Sequence, residues 1–457
     1  MKIDCPISEQ AKINPEVVAV CDQGRNYSYS DINQIILNLQ YFFTEKKLQS
    51  GDKVVLFIDN PFHLFLCMWS LLRLNIAVLP INHKFPNMVV DTHFRQVNAK
   101  KVITNKLSYN SSPVIYLPKV SNLQTTKKQF LSSLQLNKHL FYLLSSGTTG
   151  TAKVIVHTLN AFYEHVAAVK LFMYLNSNTV YLLNLPLFHV SGLGIVFRTF
   201  LSGAKLVISN KDNWVKDISE FKVTHLSMVE TQVKQCLNGN ETIFLGIKVL
   251  LLGGSKFSNE ILDRLITQKV PVFLSYGLTE AATQVFTKNL LTGKSLHLMD
   301  IICKDKQILI KGKQLFKGYY TEGLTVLPLT QTDYFETRDL GIMKNLELKI
   351  LGRSDNCFIS GGENIFPEEI EGVIQTHSFV KRVIVIPIPD QLFQFKPVAF
   401  VDINNQNFNL NDLYEFVQDK LPNFKQPVNY YHWPSSYPET GIKLNRTWFQ
   451  AYMNNNG

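Results

Sequence analysis

Short apolar runs of strand length recur along the first half of the chain. They are Lys53–Ile58, Ala77–Ile81, Lys101–Thr104, Val180–Leu183, Lys205–Ile208, Val249–Leu252 and Val272–Leu274. Runs of this kind, without polar alternation, suit strands buried on both faces. Helix-like stretches separate several of them. Pro61 stands at a helix start, and Phe62–Leu74 is apolar at helical length. Strands alternating with helices predict an α/β architecture with substantially parallel sheets. After Asn289 the texture changes. Gln307–Ile310 and Glu347–Leu351 read as antiparallel strands of a small β region, and 352–356 is polar and turn-like. The boundary is placed there, giving a large domain over 1–352 and a smaller α+β domain over 353–457. In the second, Pro367–Thr376 suits a helix with Glu368, Glu369 and Glu371 in its first turns. Arg382–Ile388 and Pro397–Ile403 suit strands, and the tail 454–457 is expected to fray.

Composition narrows the classes. At 457 residues, with 46% hydrophobic and 18% charged, the chain is globular and long enough for two cores. Net charge is +10, yet no block of five basic residues occurs. Dispersed charge argues against nucleic acid and suits an anionic small molecule. Cys5, Cys21, Cys67, Cys236, Cys303 and Cys357 form no CxxC pair, so free thiols in a reducing compartment are expected. The first residues lack a signal-peptide core. The longest apolar region, 179–208, is broken by Asn184, Pro186, His189, Arg198 and Lys205, so no membrane span is expected. The cytoplasm is the expected location. Monomer and homo-oligomer both remain open.

The candidate chemistry begins where the run His139–Leu144 empties into Ser145-Ser146-Gly147-Thr148-Thr149-Gly150-Thr151-Ala152-Lys153. Two glycines, hydroxyls and a terminal lysine suit a polyphosphate. The Walker pattern is not met, because no Ser or Thr follows the lysine. Taken alone, the loop reads equally well as a polar surface turn. A second turn, Gly253-Gly254-Ser255, follows Val249–Leu252. A third, Ser275-Tyr276-Gly277-Leu278-Thr279-Glu280, follows Val272–Leu274. Both sit at the edge where open α/β sheets bind ligands, though each alone suits an ordinary strand-to-helix turn.

Together these segments, with Thr337–Gly341, Gly352-Arg353, Gly361–Glu371 and Gly441-Ile442-Lys443, resemble the ordered motifs of the ANL superfamily of adenylate-forming enzymes. The resemblance spans essentially the whole chain. It implies a large N-terminal domain, a small mobile C-terminal domain and two steps. A carboxylate attacks the α-phosphate of ATP, and a thiol, usually that of coenzyme A, then displaces AMP. It further implies that Lys443 serves adenylation and that the loop from Ser145 to Lys153 holds the β,γ-phosphates. Glu280, with Thr279, organises Mg²⁺. Asp339 receives the ribose hydroxyls, and Arg353 supports the nucleotide. Tyr276 and the turn Gly253-Gly254-Ser255 flank adenine, and Gly277 permits the tight turn of the same nucleotide-binding segment. Asp355 falls at the hinge, and Gly361-Gly362 at the pantetheine channel. His189 lines the substrate tunnel beside Ser191. Individually, Asp339 and Arg353 suit a surface ion pair, Lys443 a solvated lysine, and His189 a core histidine. Two departures stand out. The loop carries Ala152-Lys153-Val154 where the family has Pro-Lys-Gly, and Glu230 follows Val229 where a proline is common.

The acid is suggested by other residues. Arg198 lies in apolar surroundings, where an unpaired cation is costly, so a second substrate carboxylate suits it. Phe188–Gly192, the 358–371 run, Phe424–Pro427 and Gly441–Arg446 are similar to the superfamily branch that acts on o-succinylbenzoate in menaquinone biosynthesis. Two rivals are another aryl- or acyl-CoA ligase, which does not need Arg198, and a non-catalytic acyl-adenylate or nucleotide-binding protein on the same fold.

Overall fold

The computed structural model describes residues 1–123, 132–145, 153–209, 214–239, 241–254, 257–361, 363–404, 408–438 and 444–456. Two large sheets dominate. In the first, of eight strands, Ala77–Pro80, Lys53–Phe57, Lys101–Thr104 and Val114–Tyr116 run parallel. His139–Leu144 joins them in parallel and pairs antiparallel with Val154–Thr158. The second sheet, of nine strands, has a parallel centre. Its order is Val18–Asp22, Lys205–Ile208, Val180–Leu183, His225–Met228, Val249–Leu252, Val272–Leu278. Arg25–Ser28 and Thr283–Asn289 close the two ends of that run antiparallel.

One apolar core joins the two sheets. It combines Val54, Val78 and Phe141 of the first with Val20, Leu206 and Phe273 of the second. The helices Pro61–Arg73, Leu159–Val169 and Val190–Phe200 supply aromatic filling. Phe162 stacks on Phe197 at 4.6 Å, and Trp69 lies 5.7 Å from Phe197. Each such buried ring contributes about 1.5–3 kcal/mol. The helix Pro61–Arg73 starts where the pattern predicts. Proline gives up no hydrogen bond at the first turn, and Asn60 Oδ1 accepts from His63 N at 2.9 Å.

A four-stranded antiparallel sheet follows, in the order Asp300–Lys304, Gln307–Lys311, Phe335–Lys344, Glu347–Arg353. Beyond it, Phe358–Ser360, Glu363–Ile365, Val380–Asp390, Gln394–Ile403 and Tyr430–His432 form a separate sheet. That sheet has its own core, including Ile370, Val385, Val401 and Leu413.

Three local expectations are corrected. The residues after Leu274 are not a turn: the strand runs on to Leu278, because Thr283–Asn289 takes up its hydrogen bonds, with a bulge between Tyr276 and Gly277. Gly352 and Arg353 likewise close the strand Glu347–Arg353, opposite Leu340 and Asp339, so the turn begins at Ser354. The tail expected to be irregular from Asn454 is helical through Asn456, as the end of the helix Arg446–Asn456. The apolar region 179–208 divides into strand, helix and strand. Among the described residues no helix is long and apolar enough to cross a membrane. All six cysteines are free.

Candidate active site

A cavity of about 1280 Å³ opens at the C-terminal ends of the parallel strands of the second sheet. This edge is where loops and strand ends leave backbone groups free for a ligand. Ser145, Lys153, His189, Ser191, Arg198, Gly253 and Gly254 contribute to its wall, as do Gly277, Thr279, Glu280, Arg353 and Asp355. Tyr276, Asp339 and Gly361 are not among the described wall residues. Ser146, Gly147, Thr148, Thr149, Gly150, Ser255, Gly362 and Lys443 lie outside the described residues.

The strand ends on either side of the 146–152 segment are joined, with Ser145 N donating to Lys153 O at 2.9 Å. Val154, one of the two departures in the loop, begins a strand and is buried at 1% exposure. A β-branched residue suits that position better than the family's glycine. Ala152 lies outside the described residues. Lys153 Nζ sits 4.9 Å from the centroid of the Tyr319 ring, and Tyr319 Oη donates to Glu280 Oε1 at 2.9 Å. Burial, then the charge of Glu280, pushes the Tyr319 hydroxyl pKa up, so it remains a donor. The Glu280 carboxylate, on the same cavity wall as Lys153, is a hard oxygen donor that fits Mg²⁺, an ion that keeps most of its waters and takes few protein ligands. Among the described residues no cluster of three His, Cys, Asp or Glu offers a self-contained metal cage.

Thr279 is held through its backbone. His157 Nε2 lies 2.6 Å from the Thr279 carbonyl oxygen. Burial lowers the His157 pKa to about 4, so the ring is neutral and Nε2 carries its proton. Gly277 is required by close approach. A Cβ built there would lie 1.8 Å from the Thr283 carbonyl oxygen. Thr283 itself has φ 130°, and Ala282 before it has φ 52°.

Asp339 and Arg353 form the second polar group. Tyr276 Oη donates to Asp339 Oδ2 at 2.7 Å, and Arg353 Nη1 donates to Asp339 Oδ1 at 3.2 Å. Arg353 also grips Asp355 with Nε at 2.8 Å and Nη2 at 3.0 Å. Burial alone would lower the Arg353 pKa, but the bonds to Asp355 and the charge of Asp339 more than offset it. The alternative of an isolated surface ion pair does not hold: Asp339 and Arg353 are part of a wider assembly, with the Asp339 side chain only 12% exposed.

The opposite end of the cavity is built differently. Arg198, on the helix Val190–Phe200, is 1% exposed. Its Nη1 donates to Gln284 Oε1 at 2.8 Å, and its Nη2 to Ser227 Oγ at 3.4 Å. The Tyr181 ring lies 5.5 Å away. His165 Nε2 stands 3.5 Å from Nη1, and its pKa is lowered well below the usual range by burial and by the Arg198 charge. No ion pair joins Arg198 to a carboxylate among the described residues. The helix reaches this depth because Gly192 clears the Pro186 carbonyl, which a Cβ would approach to 2.3 Å. His189 occupies the N-cap position of that helix, without a side-chain capping bond. Glu230, the remaining departure, opens the helix Glu230–Gly239, where its charge meets the positive end of the dipole.

On the C-terminal side, Arg446 forks onto Glu371, with Nη1 to Oε1 at 2.6 Å and Nη2 to Oε2 at 3.2 Å. Sequence reasoning singled out neither Arg446 nor Tyr319, His157 or Gln284 as site residues. Each acts on a partner far away in the chain.

Comparison with known proteins gives a consistent result. The chain matches the AMP-binding enzyme family over residues 7–320 and the AMP-binding enzyme C-terminal domain over 369–442. It is 34% identical to the 2-succinylbenzoate–CoA ligase of Haemophilus influenzae, over 90% of this chain and 89% of that one. It is 31% identical to the enzyme of the same name from Salmonella typhimurium, with the same coverage. Among solved structures, a variant of Escherichia coli MenE with bound OSB-AMS superposes with a TM-score of 0.85 at 26% identity, covering 98% of both chains. The fold is also that of o-succinylbenzoate CoA synthetase from Bacillus subtilis in complex with OSB-AMP, with a TM-score of 0.91 at 21% identity and 98% coverage of both chains.

Proposed function

The chain belongs to the AMP-binding enzyme family, and from that premise we propose that it activates o-succinylbenzoate with ATP and Mg²⁺ and transfers the acyl group to coenzyme A. It is an AMP-forming acid–thiol ligase of menaquinone biosynthesis. The succinyl carboxylate attacks the α-phosphorus, pyrophosphate leaves, and the acyl-adenylate forms. The coenzyme A thiol then attacks the acyl carbon and AMP departs, giving o-succinylbenzoyl-CoA.

The chain's own groups meet the demands of bringing anions together. Lys153 and the loop from Ser145 take the β,γ-phosphates, and Lys443 neutralises charge developing at the α-phosphate. Asp339, already oriented by Tyr276 and Arg353, accepts the ribose hydroxyls. Tyr276, Gly277 and the Gly253–Ser255 segment flank adenine. Thr279 and Glu280 would hold Mg²⁺, which would supply screening of the phosphate charge. His189 and Ser191 line the acid's path. Arg198 receives the ring carboxylate, and that assignment rests on one observation: a fully buried guanidinium with only neutral neighbours among the described residues.

A division close to 352/353 accords with the separate C-terminal core and with the two family matches, which end at 320 and begin at 369, while Arg353, the last residue of the strand Glu347–Arg353, stays with the larger part. Asp355, gripped by Arg353, serves as the hinge about which the smaller domain turns between steps. That turn withdraws Lys443 and brings Gly361-Gly362 toward the pantetheine path. The cytoplasm, where ATP and coenzyme A are supplied and thiols stay reduced, is the compartment of the reaction.

A panel of acids with ATP, Mg²⁺ and coenzyme A, followed by AMP and pyrophosphate release, tests the reading. The expected result is strong preference for o-succinylbenzoate. Preference for benzoate or a fatty acid points instead to another acyl-CoA ligase, and no AMP release with any acid to a binding protein.

A further inference from the structure

Resting on the assignment of Arg198 to the ring carboxylate, we infer that Gln284 is the positioning residue that orients this guanidinium while leaving its charge unspent, and so sets the preference for a dicarboxylate. Gln284 is 3% exposed and reaches Arg198 across 86 positions of sequence. Its amide orientation is fixed from behind. Nε2 donates to Thr287 Oγ1 at 2.7 Å, and Thr287 Oγ1 in turn donates to Ser275 Oγ at 3.4 Å. With Nε2 committed there, Oε1 faces the guanidinium at 2.8 Å.

Among the described residues every other contact of Arg198 is neutral as well. Ser227 offers a hydroxyl, Tyr181 a ring face, and His165 an imidazole that Thr283 Oγ1 engages at 2.9 Å. Arg198 Nε has no partner among the described residues. Neutral acceptors satisfy hydrogen bonds without cancelling charge. The cation therefore stays uncompensated in a low-dielectric pocket, where an arriving carboxylate gains most. A glutamate at position 284 would have nearly the same shape. It would form an internal ion pair with Arg198 and compete with the substrate. The amide at this position is thus a choice about charge as much as about packing.

The test compares intact wild-type enzyme with Gln284→Glu and Gln284→Leu. Each is assayed with o-succinylbenzoate and with 4-oxo-4-phenylbutanoate, which keeps the succinyl arm and lacks the ring carboxylate. The readout is the ratio of kcat/KM for the two acids. Gln284→Glu is expected to lower this ratio about 100-fold, because the new carboxylate occupies the cation. Gln284→Leu is expected to lower it about 10-fold, because the guanidinium loses its orientation. Ligand-free Gln284→Glu is also expected to melt about 2 °C higher, since the buried cation gains a partner. A purely structural role would lower both acids equally in both variants, and that result overturns the inference. So does a wild-type preference that persists in Gln284→Glu. Absence of the preference in the wild type itself would instead remove the o-succinylbenzoate reading on which the inference rests.

Discussion

The two ends of the cavity hold charge in opposite ways. At the nucleotide end each charged group of the Asp339–Arg353 assembly is already partnered. Arg353 lies between Asp339 and Asp355, and Glu280 accepts from Tyr319. At the acid end Arg198 is buried among neutral groups. On the proposed function, the difference follows from what each end would receive. ATP brings several charges and its own metal, so the protein supplies a balanced, partly wetted frame. The acid brings one extra carboxylate, and the pocket leaves one cation for it. The proposed seat of selectivity is thus the place where the protein has tolerated an imbalance.

The largest expected effect comes from erasing that imbalance. Arg198→Met is expected to raise KM for o-succinylbenzoate about 100-fold, or about 2.7 kcal/mol. Its melting temperature is expected to hold or rise, because an unpaired buried cation is removed. Steady-state kinetics beside thermal melting would check this. Loss of stability with KM unmoved would mean that the cation serves the fold.

Acid should damage the acid end more than the nucleotide end. His165 and His225 are both lowered by burial, with the Arg198 charge adding to it, and His225 falls to about 4. His157 is the counterpart beside Thr279, also at about 4. For each, the folded pKa lies below the unfolded value of 6.5, so the unfolded chain takes up more protons between the two. For His157 and His225 stability is complete above 6.5 and falls as pH drops from there toward 4, and for His165 it falls in the same direction below 6.5. The slope is up to about 1.4 kcal/mol per pH unit for each histidine. Melting curves between pH 7 and pH 5 should flatten in His165→Gln. An unchanged slope would show that this ring does not stay neutral.

The smallest effect belongs to the partnered end. Tyr319→Phe removes one donor from Glu280 and is expected to cost about 1 kcal/mol. In a Mg²⁺ titration of AMP release the midpoint should rise roughly fivefold. A change confined to KM for the acid would contradict the placement of Tyr319 at the metal side.

Much of this was legible in the sequence, and for local reasons. Buried parallel strands write themselves as unbroken apolar runs, so Val180–Leu183, Lys205–Ile208 and Val249–Leu252 are found with their bounds unchanged. Arg198 is conspicuous because arginine in an apolar helix needs a reason. The partners were not legible. Tyr319 reaches Glu280 across 39 residues, Arg446 reaches Glu371 across 75, and His157 reaches Thr279 across 122. No spacing rule connects such pairs. Gly277 misled the reading of its own segment. A glycine after an apolar run suggests a turn, but here it admits a neighbouring backbone into a continuing strand.

That glycine also ties the two ends of the cavity together. Between Gly277 and Gln284 the chain turns back on itself within seven residues, and Glu280 sits at the turn. The missing methyl group acts as a registration mark. Were the strands to slip by one residue, a side chain would strike the Thr283 carbonyl. The metal-side carboxylate and the amide beside Arg198 therefore cannot be adjusted independently, and a change that retunes one end for a new acid must leave this crossing untouched.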